Sequence, residues 1–263
     1  MRVAVIQLAY GDEEPVEERT ERVAELVRQQ AGHDLVVLPE LWSAGGFDYA
    51  HWDERAEPVD GPVAQAMAAA ARDAGVLLHA GSIVERLPLG GAEGRTLANT
   101  SLVFTPLGEL AATYRKIHRF GFGAGEPALM EAGEHLILLD LLEGHRAGLS
   151  TCYDLRFPEL YRRQLDAGAT VFIVPAAWPA ARVGHWSLLG RARAIEDQCV
   201  LIACNTAGTH ADHQMGGYSQ VVLATGEVLA EAGVNEQVLS VDVELSSIAA
   251  TREAFPVLRD RRL

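Results

Sequence analysis

One cysteine stands where the chain could hold a nucleophile. Cys152 follows the strand-like run HRAGLST, and Pro158 opens a helical pattern in PELYRRQL a few residues later. A turn from a strand to a helix leaves free backbone N–H groups beside a side chain, which lower a thiol pKa from its usual value of about 8.5 and can bind an oxyanion. Free cysteines are more often small buried residues, and Cys199 and Cys204 in CVLIAC fit that description. Cys152 is therefore the candidate nucleophile.

A cysteine nucleophile needs a base, and none of the nine histidines stands in a setting that singles it out. A carboxylate and a lysine are sharper candidates. Glu40 ends the apolar run DLVVLPEL directly after Pro39, and Lys116 lies in the strand-like segment ATYRKIHRF. Each residue alone is typical of a solvated strand end, so only their combination with the cysteine indicates a catalytic role.

Taken together, the segments LPEL, YRKIH and STCYDLRFPEL resemble the nitrilase superfamily of carbon–nitrogen hydrolases. Glu40, Lys116 and Cys152 stand in the order and at about the spacing of that family. The resemblance runs from VAVIQ to FPVLRDRR and covers almost the whole chain. It implies that the glutamate takes the thiol proton, that the cysteine attacks an amide carbonyl to form a thioester, and that no cofactor is required. It also implies that the lysine and the backbone N–H of Tyr153 stabilise the oxyanion.

The family also uses a second glutamate between its lysine and its cysteine. Glu126 in GAGEPALMEAG matches it, because Glu126 precedes Gly133 as the family's glutamate precedes a loop glycine. Glu131 and Glu134 are nearby rivals. The loop begins RFGFGAG in place of the family's common LFD, so we expect a differently shaped pocket entrance.

Two further residues are candidates for binding the substrate. Arg182 in WPAARVGHW follows a strand that should end at the pocket, and a guanidinium is suited to a substrate carboxylate that an acidic protein would otherwise repel. Arg156 is its rival, but its place beside Asp154 and Glu159 indicates a structural ion pair. Trp178 ends the preceding strand, in the segment that borders the pocket in this family, and could equally belong to the core.

The resemblance also bears on the substrate. CYDLRFPELYR and HWSLLGRARAIEDQ are most similar to the Nit-type branch, which includes ω-amidases of 2-oxo acid amides and amidases of deaminated glutathione. Tyr153-Asp154 stands where true nitrilases usually carry Trp-Glu, which favours amides over nitriles. We therefore predict an amidase that releases ammonia from the ω-amide of a small 2-oxo or other carboxylic acid. The alternatives are hydrolysis of N-carbamoyl amines or N-carbamoyl-β-amino acids, an amidase of the deaminated-glutathione type, a glutaminase module with a partner subunit, and a catalytically silent binding protein.

The elements that must hold these residues recur along the chain. Helical patterns over 17–30 and in PVAQAMAAAARDAG alternate with short β-rich runs. NTSLVFTPLGELAATY and YSQVVLATGEVLAEAG each indicate a strand, a glycine-centred turn and a strand. The sequence thus predicts an α/β fold of two mixed β-sheets with helices outside, a four-layer α-β-β-α sandwich. Because no low-complexity or Pro/Gly/Ser-rich segment divides the sequence, we expect residues 1–263 to form a single carbon–nitrogen hydrolase domain. The resemblance adds pairing into a homodimer, or assembly into a higher homo-oligomer.

Composition excludes several partners. The formal net charge of -14 disfavours nucleic acid and anionic lipid surfaces. No stretch approaches the roughly 20 apolar residues of a membrane span, and the N-terminus has no signal-peptide pattern. Three cysteines without framework spacing favour a reduced, cytoplasmic setting. These observations leave a small molecule as the expected partner, and the resemblance implies that it is an amide.

Two motifs with other possible functions carry little weight. GFGAGE is not the GxGxxG pattern of a phosphate-binding loop, and we expect a flexible lid there. His210, Asp212 and His213 in THADHQMGG have a spacing that a metal could use, but no further ligand pattern accompanies them. We expect a solvated loop at this place, with no metal site and no cofactor.

Overall fold

The computed structural model describes residues 1–262, which contain fifteen strands and six α-helices. The strands are β1 (Arg2–Gln7), β2 (Leu35–Val37), β3 (Leu77–Arg86), β4 (Leu97–Phe104), β5 (Leu110–Arg115), β6 (Met130–Glu131), β7 (Leu138–Asp140), β8 (Arg146–Leu149), β9 (Val171–Pro175), β10 (Val200–Cys204), β11 (Thr209–His210), β12 (His213–Gln214), β13 (Gln220–Val222), β14 (Val228–Glu231) and β15 (Gln237–Asp242). The helices are α1 (Val16–Arg28), α2 (Pro62–Ala74), α3 (Glu126–Leu129), α4 (Pro158–Asp166), α5 (Val183–Asp197) and α6 (Ser246–Ala254).

Two mixed sheets share one topology. The first has the order β15-β1-β2-β3-β4-β5, with β6 beside β4, and the second has the order β7-β8-β9-β10-β13-β14. In each sheet three central strands are parallel, an antiparallel strand flanks them on one side, and an antiparallel hairpin flanks them on the other. The repeated pattern read from the sequence is therefore a repeated topology.

Three hydrophobic cores separate four layers. Helices α1 and α2 cover the outer face of the first sheet through Val23, Val27 and Met67. Buried valine, leucine and isoleucine side chains of β1, β2, β9 and β10 fill the space between the two sheets. Helices α4 and α5 cover the outer face of the second sheet through Tyr161 and Trp186. The predicted α-β-β-α sandwich is confirmed.

Local signals account for the helix ends. Pro62 occupies the first turn of α2, where its missing N–H is not needed, and Gly75 ends the helix in the left-handed conformation. Pro158 opens α4 in the same way, as its sequence pattern predicts. The predicted helix over 17–30 is α1, shifted by one or two residues. No helix in residues 1–262 is long and apolar enough to cross a bilayer.

One segment differs from its prediction. THADHQMGG is not a solvated loop, because it folds into the two-stranded hairpin of β11 and β12. The His210 side chain is buried and stacks on the Tyr10 ring with centroids 4.5 Å apart. Residues distant in sequence pack around this histidine and bury it. The polarity of the local sequence does not indicate these contacts.

Candidate active site

The candidate residues meet at one edge of the sandwich. Glu40, Cys152 and Trp178 follow the carboxyl ends of the parallel strands β2, β8 and β9, where ligands bind in open α/β sheets. Lys116 directly follows β5, and Glu126 opens the short helix α3. All five line a pocket of about 400 Å³.

The turn that carries Glu40 rests on an irregularity in β3. Gly81 has φ +69°, and a Cβ there would lie 1.9 Å from the Pro39 carbonyl oxygen, so a side chain would push the turn away. The pairing of β3 with β4 shifts register at the same place. The Leu41 N–H donates to the Ser82 hydroxyl at 3.0 Å and holds the end of the turn. This packing fixes the direction of the Glu40 carboxylate.

A buried charge cluster forms the floor of the pocket. The Lys116 ammonium donates to Glu40 Oε1 at 2.7 Å and to Glu126 Oε1 at 2.9 Å, and it lies 2.8 Å from Glu126 Oε2. The three side chains are each 4% exposed or less. Two carboxylates around one ammonium offset part of the cost of removing these charges from water.

Backbone N–H groups hold the outer oxygens of both carboxylates. The Ala177 N–H donates to Glu40 Oε2 at 2.8 Å, and the Phe120 N–H donates to Glu126 Oε2. The loop after β9 and the loop before α3 therefore both depend on this cluster. Among residues 1–262 no other N–H group donates to Glu40 Oε2, so this oxygen retains a free lone pair.

The cluster shifts the pKa values of its members. Burial alone would lower the pKa of Lys116, but the charges of Glu126 and Glu40 outweigh burial and hold that pKa well above its usual value. Burial raises the pKa of Glu126, and the neighbouring Lys116 charge only partly opposes this. Lys116 is therefore a permanent cation at neutral pH.

Cys152 sits on a strained turn. Its φ is +47°, in the left-handed region that L-residues rarely adopt, and a short 3₁₀ helix, Cys152–Arg156, begins at this residue. The backbone N–H of Tyr153, in the first turn of that helix, has no intrahelical acceptor. Both Cys152 and Tyr153 line the pocket.

The predicted lowering of the thiol pKa is wrong. Burial, and next the negative charge of Glu40, raise the pKa of Cys152 well above its usual value. The residue is 7% exposed, and the charges of Glu40 and Glu126 act on its thiol, an arrangement that the sequence could not show. This shift favours the protonated thiol, so a nucleophile at this position would need a base.

Two guanidinium groups line the more open part of the pocket. Arg182 lies over the Phe120 ring at 5.5 Å, and Arg156 lies over the Trp178 ring at 4.6 Å. Both arginines are half-buried, whereas the charge cluster is buried. Burial lowers the pKa of Arg156, and the nearby positive charge of Arg182 adds to that effect. The pocket thus combines a buried polar floor with a cationic mouth.

Arg156 does not form the predicted structural ion pair. Its guanidinium contacts His185 Nδ1 at 3.3 Å rather than Asp154 or Glu159. The Asp154 carboxylate is occupied by other donors, and Glu159 is exposed. Arg156 and Arg182 therefore both face the pocket.

Trp178 serves the core and the pocket at once. It is 3% exposed, its ring lies 5.6 Å from that of Trp186, and it also lines the pocket. Its indole N–H donates to the Arg182 carbonyl at 2.8 Å. The tryptophan thereby fixes the loop that carries Arg182.

The rivals of Glu126 lie elsewhere. Glu131 accepts the Glu93 and Arg95 backbone N–H groups, and Glu134 is exposed. No group of three or more His, Cys, Asp or Glu side chains in residues 1–262 could hold a metal ion. Of the three glutamates, Glu126 is the one that meets Lys116.

Sequence reasoning missed Asn99. Its side-chain amide donates to Glu40 Oε1 at 2.8 Å and to Glu126 Oε1 at 2.7 Å, so it joins the two carboxylates. One signal was available: asparagine is disfavoured in strands, yet Asn99 stands inside the strand run LANTSLVF.

Comparison with known proteins identifies the family. The sequence pattern of the carbon-nitrogen hydrolase family matches residues 2–253. The chain belongs to this family. The hydrolase is 44% identical to the 2-oxoglutaramate amidase of Paenarthrobacter nicotinovorans, over 99% of this chain and 89% of the relative. It is 34% identical to the deaminated glutathione amidase of Yersinia enterocolitica, over 99% of this chain and 92% of that protein.

A solved structure shows the same architecture. The hydrolase superposes on a carbon–nitrogen hydrolase superfamily protein from Xanthomonas campestris, which carries an arsenic adduct in its active site, with a TM-score of 0.89. The two are 30% identical, and the match covers 100% of this chain and 97% of the other. The predicted family is confirmed, and so is the prediction of an amidase.

Proposed function

We propose that the hydrolase removes the terminal amide of a short 2-oxo dicarboxylic acid monoamide, of the 2-oxoglutaramate type, and releases ammonia. The observation that carries this proposal is the pairing of Arg156 and Arg182 at the mouth of a pocket whose floor holds Cys152, Glu40 and Lys116. A small substrate with a carboxylate at one end and an amide at the other fits this polarity. The 44% identical relative is named for such an amide.

Acylation begins with proton transfer to Glu40. The free lone pair of Glu40 Oε2 takes the Cys152 proton as the sulfur attacks the amide carbon, which gives a tetrahedral oxyanion. Glu40 then passes the proton to the amide nitrogen, the C–N bond breaks, ammonia leaves and a thioester remains on the sulfur. The raised pKa of the Cys152 thiol makes this base necessary.

In deacylation Glu40 again accepts a proton first and then donates it. Glu40 takes a proton from a water molecule as the water oxygen attacks the thioester carbon. The C–S bond then breaks, and the sulfur regains its proton from Glu40. The sum is one amide and one water converted to one carboxylic acid and one ammonia.

Lys116 and the Tyr153 N–H stabilise the oxyanion in both steps. An ammonium has three N–H donors, and Glu40 and Glu126 occupy two of them, which leaves one for the substrate oxygen. Removing one such donor typically costs about 3 kcal/mol of transition-state stabilisation. Both oxygens of Glu126 are already bonded, so its role is to orient Lys116.

The two arginines bind the substrate carboxylate. No carboxylate of residues 1–262 pairs with either guanidinium, so both are available to an anion. Their mutual repulsion also favours an anion between them. In a chain of net charge -14, this local positive site opposes the long-range repulsion of the substrate.

A substrate panel tests the proposal. Ammonia release is measured with 2-oxoglutaramate, a neutral aliphatic amide of the same length, deaminated glutathione, N-carbamoyl-β-alanine and a matching nitrile. The highest kcat/KM is expected for 2-oxoglutaramate, with little turnover of the nitrile. A preference for the neutral amide or the carbamoyl compound would overturn the proposed substrate class, and a preference for deaminated glutathione would move it to the longer amide.

We also infer that the whole chain acts as one catalytic domain and pairs into a homodimer in the cytoplasm. Support for one domain is that residues after strands of both sheets line the same pocket.

Support for pairing is an apolar stripe on α5, where Leu188 and Ile195 are 66% and 53% exposed and lie two turns apart. Support for a reduced compartment is that all three cysteines are free thiols. Sedimentation of the wild type and of Leu188→Glu tests the pairing: a dimer that dissociates on substitution is expected, and a monomeric wild type contradicts it.

A further inference from the structure

Asp154 is a buried carboxylate that the reaction scheme does not use. Its side chain is fully buried and is not part of the pocket lining. Asp154 Oδ2 accepts the Tyr114 hydroxyl at 2.7 Å and the Thr151 N–H at 2.9 Å. Asp154 Oδ1 accepts the His118 N–H at 2.9 Å and lies 2.7 Å from His118 Nδ1.

The partners of Asp154 flank the two reactive groups. Tyr114 and His118 stand two residues before and two residues after Lys116, and Thr151 directly precedes Cys152. The lysine segment follows the first sheet and the cysteine segment follows the second. One carboxylate therefore joins the two halves of the site.

Further bonds at the same place restrain the strained turn. The Thr151 N–H donates to the Asp154 carboxylate, and the Asp154 N–H donates back to the Thr151 carbonyl at 3.0 Å. The Thr151 hydroxyl also lies 3.1 Å from the Ser101 hydroxyl of β4. A left-handed φ at Cys152 persists only where surrounding contacts determine it, and these contacts supply that restraint.

We propose that Asp154 is a positioning residue, which sets the distance between the Lys116 ammonium and the Cys152 sulfur without contacting the substrate. The inference rests on the roles proposed above for those two residues. Four donor atoms surround the carboxylate, and an ionised carboxylate can accept from all of them. An asparagine could not, since its NH₂ group would face either the Thr151 N–H or the His118 N–H.

The test compares three variants that differ in how much of the Asp154 junction they disturb. Asp154→Asn disturbs the whole junction. Tyr114→Phe removes only one hydroxyl donor to Asp154. Tyr161→Phe is the matched control, because it also removes a buried tyrosine hydroxyl beside the cysteine turn, bonded at 2.8 Å to Ser150 and not to Asp154.

Two readouts separate positioning from simple stability. With the best amide, we expect kcat to fall about a hundredfold in Asp154→Asn and about tenfold in Tyr114→Phe, with KM changed less than about twofold, since a misplacement near 1 Å can cost about a hundredfold in rate. Iodoacetamide alkylation of Cys152, followed by peptide mass spectrometry, needs no substrate and should slow at least about fivefold in Asp154→Asn, because the sulfur moves relative to Glu40. Tyr161→Phe should keep both rates within about threefold of wild type.

The outcomes are distinguishable. If Tyr161→Phe loses as much kcat as Tyr114→Phe, the network has only a structural role and the proposal fails. It also fails if Asp154→Asn folds and keeps the wild-type kcat and alkylation rate. If Asp154→Asn does not fold, the same result with Tyr114→Phe overturns the proposal. If the wild type hydrolyses no amide, the proposed function fails, and the alkylation rates still decide the role of Asp154.

Discussion

Replacing Lys116 by methionine should destabilise the protein as well as inactivate it. The ammonium lies 2.7 Å from Glu40 and 2.8 Å from Glu126, and all three side chains are buried. In an effective dielectric of about 20, each contact contributes about 6 kcal/mol of Coulomb attraction, much of which desolvation offsets. Since removing one partner of a buried ion pair costs about 3–5 kcal/mol, we expect the free energy of unfolding of Lys116→Met to fall by about 4 kcal/mol.

The double variant Lys116→Met/Glu126→Gln separates charge from catalysis. Removing one of the two unpaired carboxylates should recover about 2 kcal/mol of the lost unfolding free energy. The kcat should remain reduced by at least about a hundredfold in both variants, because the oxyanion donor is missing. Urea unfolding and ammonia release measure the two effects, and Arg28→Met, which breaks an exposed pair with Asp73, is the control and should cost under about 1 kcal/mol. A single variant within 1 kcal/mol of wild type, or a double variant less stable than the single one, would refute the reasoning.

Three further predictions concern the cysteine turn and the pocket mouth. Cys152→Gly should be about 1 kcal/mol more stable to urea than Cys152→Ala, because glycine adopts the φ of +47° without strain, and lower stability of the glycine variant would contradict the strain. Because the pKa of the Cys152 thiol is raised in the folded protein, the unfolded chain loses this proton first as pH rises. Above pH ~8.5 the wild type should therefore lose up to about 1.4 kcal/mol of unfolding free energy per pH unit relative to Cys152→Ser, with no such loss below that pH. A difference between the two proteins that stays constant up to pH ~10 would show that the thiol has an ordinary pKa. Arg182→Ala and Arg156→Ala should each raise the KM for 2-oxoglutaramate at least about tenfold and should change the KM for the neutral amide little. The difference between the two substrates should shrink as the salt concentration rises. Equal effects on both substrates would show that the arginines do not bind the carboxylate.

The sequence predicted most of what has a local signature. The repeated strand, turn and strand pattern gave the two-sheet architecture, and the resemblance gave Glu40, Lys116 and Cys152. Each of these residues lies at the end of a strand, which hydrophobic patterning alone can locate.

What the sequence did not predict depends on contacts between residues that are far apart in the chain. The thiol pKa is set by carboxylates more than 20 residues from Cys152 in sequence, and the bonds of Asn99 and Asp154 also cross large sequence separations. Arg156 was taken for an ion pair because acids are near it in sequence, but the 3₁₀ helix turns its side chain toward the pocket. Sequence neighbours predicted the contacts of a side chain poorly wherever packing brought other residues next to it.

The most direct test of the central claim is ammonia release from 2-oxoglutaramate by the wild type and by Cys152→Ala, measured side by side. Circular dichroism and urea unfolding would show that both proteins are folded. We expect steady turnover by the wild type and a loss of at least about a thousandfold in Cys152→Ala, because no other group in the pocket can form the covalent intermediate. A folded Cys152→Ala that retains more than about a tenth of the wild-type rate would contradict the account.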